Sequence, residues 1–481
     1  MENIKNFLNK ILPIVSIGIF IVWTLSLIFF SQIHPGEDVA HAWTIAANTN
    51  VLQLIDLMKV EGHFLIWYLC IMPFAKFPNL YPYAMSVINW IFCLSAIIYM
   101  WKKAPFHNFI KVCITFSVPF LQIYAIYPRC YSIGILFLFL AAGLYKDRIE
   151  KPFKYLICLI LAANTSFVAC IPAGIMGILF IYDIIEHYIK KPESINHKLN
   201  IFILLMIIFN LTLFYFQFWG VSIPDYETAR KTIIAPYIKA YYGNIGGLFL
   251  TEKIRMILLW IGTIIFPIMF WKNKKVFIFF VCSEIITLLF FTFVYGARIY
   301  HTCFLFVFAI LAFWMFKSVD NTKDKFEWKS IIFGILAFNM LFINIRHLDS
   351  PFQMAIKPIL EDNELMSGKI YSNVPPITLS VLLPHIAKKG QTIYDMEGRD
   401  LSSYEGLKLY FTKGAKTMEP DSFAKNINSN YNNFILLNGS FKDNYILGKK
   451  YRFEIEYYKT IKDNFFNKYI NIYKIKNLRE I

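Results

Sequence analysis

Two carboxylates, Glu37 and Asp38, stand side by side in the stretch SQIHPGEDVAHAW (Ser31–Trp43), with His34 and His41 three residues out on either side. An ionised carboxylate can withdraw the proton of a weakly nucleophilic hydroxyl as attack begins. Adjacent acids, one kept ionised by its partners, offer such a base. Glu61 and His63 add a second acid and imidazole about twenty residues on. Histidine beside carboxylate also allows a metal site, but no fixed ligand spacing is present, and the metal stays unknown. The same residues also describe a wetted loop whose acids cap helices.

The elements that must hold these groups are mostly apolar. Of 481 residues, 57% are hydrophobic and 18% aromatic. The mean hydropathy is +0.49. The run just before the cluster, Ile11–Phe30, is long enough to cross a bilayer and reads as a retained first helix, with no small-x-small cleavage signal before Ser31. The formal charge of +16 sits largely in lysine clusters between apolar segments, where membrane orientation requires it. A nucleic-acid partner is therefore not expected; the lipid bilayer is. All eight cysteines lie in apolar segments and none forms a CxxC pair, which predicts neither a zinc site nor a disulfide framework.

Lys5, Lys10, Lys102-Lys103, KDRIEK (Lys146–Lys151), Lys190-Lys191, KNKK (Lys272–Lys275) and Lys317 to Lys329 all fall on one side only if His63–Phe77 does not span. That segment is short and holds Pro73 and Lys76, so it reads as interfacial or re-entrant. The first extracytoplasmic loop then covers 31–80. Further spans are expected at 82–101, 108–127, 130–145, 154–168, 169–189, 199–219, 254–271, 275–294, 298–316 and 330–345, about eleven in all. A polar break is expected at ANTS (Ala163–Ser166). Within the first loop, Asn50–Val60 reads as an amphipathic helix whose polar stripe is Gln53, Asp56 and Lys59, capped by Asn48, Thr49 or Asn50.

A second group of polar residues falls on the same expected face: Arg129 with Tyr127 and Tyr131, Asn164 beside Thr165 and Ser166, and Arg298 with His301. A second large outer loop, 220–252, adds Arg230 and Lys231 among tyrosines. Arginines on the outer side run against the orientation rule, and a guanidinium suits an anionic partner such as phosphate. Anchoring at the aromatic belt is the bland alternative. Glu284, inside an apolar span, reads as a hydrogen-bonding helix contact. The chain thus divides into a membrane domain, 1–345, and a tail, 346–481. In the tail, NFILLN, YRFEIEYY and YINIYKI read as strands and SNVPP and MEGRD as turns, giving a small extracytoplasmic α/β domain.

Taken in order, these segments resemble the GT-C superfamily of polytopic glycosyltransferases, and within it the bacterial dolichyl-phosphate-mannose–protein mannosyltransferase-like group. Glu37-Asp38, His41 and Trp43 are followed by EGHFLIWYL (Glu61–Leu69) and PFAKF (Pro73–Phe77), similar to that group's acid pair and Gly-His-Pro-Pro-Leu-Trp-Tyr segment. YPRCYSIGILFLFLAAGLY (Tyr127–Tyr145) resembles its Arg-x-Tyr helix. LAANTS resembles its Leu-Ala-Asn-Thr stretch, and RIYHTCFLFVFAILAFW (Arg298–Trp314) its Arg-His helix. The acid pair is reversed, so the base falls on Glu37 by alignment or Asp38 by residue type. Phe64 and Leu65 replace the two prolines, and two residues separate Arg298 from His301.

The resemblance implies a GT-C-like α-helical polytopic fold with amphipathic helices in the first loop. It implies a transferase of the bacterial inner membrane with its active site on the outer face. The donor would be a polyprenyl-phosphate sugar and the acceptor a glycan, glycolipid or protein of the cell envelope. Asp38 and Glu37 would be catalytic. His41, Glu61, His63, Arg129, Tyr131, Asn164, Arg230, Lys231, Arg298 and His301 would bind substrate or lipid phosphate. No cofactor is required, though a divalent cation is compatible. A flippase or transporter of polyprenyl-linked glycans, or a polysaccharide polymerase, is the alternative.

Overall fold

The computed structural model describes residues 2–30, 37–61, 64–194, 196–218, 266–293, 299–319, 328–339, 359–373, 379, 382–413, 419–427, 432–437, 445–463 and 468–481. It is mainly helical, with one six-stranded sheet near the C-terminus. The chain divides into two compact units. One holds Met1–Ile28 and Ser86–Ile345; the other holds Phe29–Met85 and Arg346–Ile481. The segment that follows the first helix therefore belongs with the tail.

In the first unit, α1 (Glu2–Phe30) and α5 (Tyr83–Lys103) are long and apolar, as are α9 (Phe167–Lys190) and α10 (His197–Phe218). Among the described residues these four are long and apolar enough to cross a membrane. At 1.5 Å per residue, 20 residues reach about 30 Å, the hydrocarbon thickness of a bilayer. The outward face of α10 carries Ile201, Leu204, Leu205, Ile208 and Leu211, all exposed, a surface that lipid rather than water would cover. Among the described residues the unit also holds shorter helices: α6 (Asn108–Thr115), α7 (Tyr131–Leu144), α8 (Pro152–Ala163), α11 (Lys274–Phe293), α12 (Ile299–Thr302), α13 (Phe304–Val319) and α14 (Trp328–Asn339).

Two expected features of these helices differ in outcome. The ANTS break forms: Asn164 ends α8, and the Ser166 side chain accepts from the Ala169 amide (3.3 Å) to start α9. Gly134 of α7 allows this turn to pack tightly, since a Cβ there would lie 2.6 Å from Thr165 Oγ1. The run 108–127, expected as one span, is instead broken. Helix α6 stops at Thr115, and a π-helical turn (Pro119–Tyr124) follows, because Pro119 has no amide to continue the ladder. The expected span 254–271 lies mostly outside the described residues.

In the second unit, α2 (Glu37–Asn48), α3 (Val51–Glu61) and α4 (Leu65–Ala75) follow one another. Helix α4, about 16 Å long at the usual rise, is too short to cross a bilayer. The tail forms a sheet of order β2-β1-β3-β6-β5-β4. Here β1 (Lys369–Ser372), β2 (Ile393–Tyr394) and β3 (Asn433–Leu437) are parallel, and β4 (Tyr445–Leu447), β5 (Tyr451–Asp463) and β6 (Lys468–Glu480) add antiparallel. The central β3 is buried at every position, as its unbroken apolar run FILL requires. Tyr371, Phe423, Ile435, Phe453 and Ile475 form the core on one face. Helices α15 (Asn363–Ser367), α16 (Leu383–Lys388), α17 (Tyr404–Lys413) and α18 (Pro420–Ala424) accompany it among the described residues. MEGRD is the expected turn: Gly398 takes φ +83°, and Asp395 accepts the amides of Glu397 and Arg399.

Candidate functional site

The acid-bearing region is built by three short helices. Glu37 and Asp38 are the first residues of α2, where the exposed amide ends favour negative charge. Val39, Ala40, Ala42, Trp43, Ile45 and Ala46 bury the helix behind them, and Asp38 stays half-buried. At the other end, the Lys76 ammonium donates to the carbonyls of Ala47 (2.8 Å) and Thr49 (2.7 Å), satisfying acceptors that the helix leaves open. Partial burial lowers the pKa of Lys76. Helix α3 starts with a reciprocal box: Asn50 Oδ1 accepts from Gln53 N (2.9 Å), and Asn50 N donates to Gln53 Oε1 (3.0 Å). Asn50 is thus the cap among the three expected candidates.

Helix α3 ends at Glu61, whose carboxylate Oε2 lies 3.5 Å from Nε2 of His41 on α2; both side chains are buried. A protonated His41 would form an ion pair there. The structure therefore brings together two of the residues expected in this loop. His63, and the side chain of Glu37, lie outside the described residues.

The polar stripe of α3 has a partner that hydropathy does not reveal. Asp56 Oδ2 accepts from Tyr404 Oη (2.5 Å) and Lys408 Nζ (2.7 Å), both on α17 of the tail. The hydrogen bonds from Lys408 and then Tyr404 hold the Asp56 carboxyl below its ordinary value. The same bond to Asp56 raises Lys408, and likewise Tyr404. A second contact runs from α16: Lys388 donates to the Tyr81 carbonyl, and the His385 ring meets the buried Tyr81 ring edge-on at 5.1 Å. Tyr81 in turn packs on Trp43 of α2 at 5.5 Å.

The first unit holds the other expected group. Tyr131 Oη and His301 Nε2 are 2.8 Å apart, with the donor set by the histidine tautomer. The Tyr300 ring stacks with Tyr127 at 5.4 Å and with Tyr131 at 5.2 Å, and the buried Arg129 guanidinium sits 5.6 Å from it. His301 stacks on Phe291 at 4.8 Å. The π-helical turn leaves the Tyr124 carbonyl able to accept from Ser132 (2.6 Å) and Asn89 (2.7 Å), which ties this cluster to α5 and α7. Arg129, Tyr131 and His301 are thus brought together, with Tyr300 as the residue the sequence reading missed. The Asn164 side-chain amide donates to the Ile160 carbonyl (2.9 Å) and to Asn210 (2.6 Å) and accepts from Gln217 (3.1 Å), joining the break to α10. Arg230, Lys231 and Arg298 lie outside the described residues.

Among the described residues, no three His, Cys, Asp or Glu side chains converge as a metal site. No family model, curated protein or solved structure matches the chain.

Proposed function

We propose that this protein is a membrane glycosyltransferase that moves a sugar from a polyprenyl-phosphate carrier to a cell-envelope acceptor at the outer face of a bacterial inner membrane, within a GT-C-like fold of about eleven spans. The observation that carries the reading is the acid pair at the start of α2, beside the buried His41–Glu61 pair and on short helices that follow the first long apolar helix. In the reaction, the acceptor hydroxyl attacks the anomeric carbon while a carboxylate of the pair takes its proton. The bond from that carbon to the phosphate oxygen breaks, and its electrons leave with the lipid phosphate.

Asp38 is the base in this reading, with Glu37 its neighbour. Arg129, against the Tyr300 ring that stacks with Tyr127 and Tyr131, joins the proposed lipid-phosphate-binding set by its charge. The roles fall in different units and are tested separately. His63, Arg230, Lys231 and Arg298 join the proposed binding set by residue type. A divalent cation is compatible with this chemistry and no step depends on it.

The test compares Glu37→Gln and Asp38→Asn membranes in transfer of label from a polyprenyl-phosphate sugar. Asp38→Asn is expected to lose roughly 10²–10⁴-fold in transfer, the usual worth of a general base. Wild-type transfer by both variants overturns the base assignment.

A further inference from the structure

We infer that the C-terminal domain is a positioning clamp for the acid-bearing helices, with Asp56, Tyr404 and Lys408 as its latch; this rests on the reading of α2 and α3 given above. The latch is placed for that task. Asp56 and Glu61 share helix α3, so whatever fixes α3 along its axis also fixes the carboxylate that faces His41. A second grip acts on the other helix. Lys388 and His385 of α16 hold Tyr81, and Tyr81 packs on Trp43, two residues from His41 and five from Asp38 on α2. Each of the two helices is thus held by a different helix of the tail, through polar and aromatic contacts of defined direction.

The chemistry of the two grips differs. Asp56 and Lys408 are each more than a third exposed, so their pairing adds little to global stability. A contact of that kind sets geometry: one carboxylate oxygen receives an ammonium and a phenol at once, and Lys408 also reaches Tyr404 Oη (3.2 Å). Lys388 is more sheltered, and burial lowers its pKa. Asp56, Tyr404 and Lys408 are bonded to one another. They are positioning residues that act through α3.

The experiment uses the full chain in lipid nanodiscs. Hydrogen exchange is followed over 37–61 in the wild type, in Asp56→Lys, in Lys408→Asp and in the double swap, together with kcat and KM for the polyprenyl-phosphate sugar. Each single reversal is expected to speed exchange in α3 on the order of tenfold, since it replaces attraction with repulsion, and the double swap to restore protection. The kcat should fall and recover in parallel while KM for the donor stays within about twofold, as loss of alignment rather than of binding predicts. Unchanged exchange in both single variants overturns the clamp, as does failure of the double swap to restore protection when global unfolding is unaltered. Faster exchange with repair by the double swap, in a wild type that transfers no sugar, upholds the clamp and sinks the transferase reading instead. Tyr404→Phe, which removes one hydroxyl and no charge, should give a smaller rise of the same sign; no rise at all there and in Asp56→Asn counts against the latch.

Discussion

Each unit contains a network of acids, and the two differ in what faces the carboxylates. In the helical unit, Asp183 is buried with Arg148 on one oxygen (2.5 Å) and Lys275 on the other (2.6 Å). Lys275 and Lys190 also hold Glu186, at 2.8 and 2.6 Å. Cations occupy both acids, which thereby staple the loop after α7, helix α9 and helix α11. In the second unit, Asp56 is used the same way, but Glu61 faces an imidazole, and Asp38 opens a helix. Imidazole is the one side chain whose ordinary titration lies near neutral pH. Under the proposed function, the acids that staple and the acids assigned to chemistry differ in the side chains set against them: fixed cations at Asp183, an imidazole at Glu61.

That contrast can be broken most forcefully at Asp183. Asp183→Ala leaves Arg148 and Lys275 without their shared anion, and removing one partner of a buried ion pair costs about 3–5 kcal/mol. The expected result is a large fall in thermal midpoint in detergent, whereas Asp38→Asn should leave that midpoint nearly unchanged. Equal shifts in the two variants would erase the distinction.

A smaller effect is expected at Arg129. Arg129→Gln keeps a polar side chain but loses the charge, and a charged hydrogen bond is worth roughly 1.5–3 kcal/mol. Donor affinity should weaken on the order of 10–100-fold, with Arg129→Lys recovering only part of it, because a lysine lacks the planar fork. Titration of labelled polyprenyl phosphate reads this out; full affinity in Arg129→Gln contradicts the assigned role.

Helix α2 gives a finer probe. Lys76→Met removes the donor to the Ala47 and Thr49 carbonyls and should cost about 0.3–1 kcal/mol, the usual worth of a cation at a helix C-terminus. Local hydrogen exchange at the end of α2 should rise by a few-fold, with no change in α3.

The smallest effect concerns pH. Because its partners hold the Asp56 pKa below the ordinary 3.8, the pairing contributes in full above that value and is lost as pH falls through the lower folded-state value. Protection of α3, corrected for intrinsic rates, should be flat between about pH 5 and 8 and decline only below about pH 4. A decline already complete by about pH 5 would contradict the role given to Asp56.

Much of this was legible in the sequence, and the reasons are specific. The amphipathic run after Asn50, the polar break at Ala163–Ser166 and the strands NFILL, YRFEIEYY and YINIYKI are local patterns, and local physics carried them into the structure. The short strands β1, β2 and β4 carry too few residues for a periodic signal. The break at Pro119 was hidden because its neighbours are as apolar as a span. Nor does any local pattern pair Asp56 with Lys408, 352 residues away. Asp56 on an otherwise narrow stripe was the only hint. Asn164 sits at the expected helix break and meets Asn210 and Gln217 of α10, partners that no local pattern names.

The most direct test of the central claim uses the purified protein in liposomes that carry polyprenyl-phosphate sugar and an envelope glycolipid acceptor. The quantity to measure is free polyprenyl phosphate formed per sugar gained by the acceptor. A transferase predicts one for one, with formation nearly abolished in Asp38→Asn. Donor that crosses the bilayer without being consumed, or consumption unaffected by Asp38→Asn and Glu37→Gln, would contradict the account.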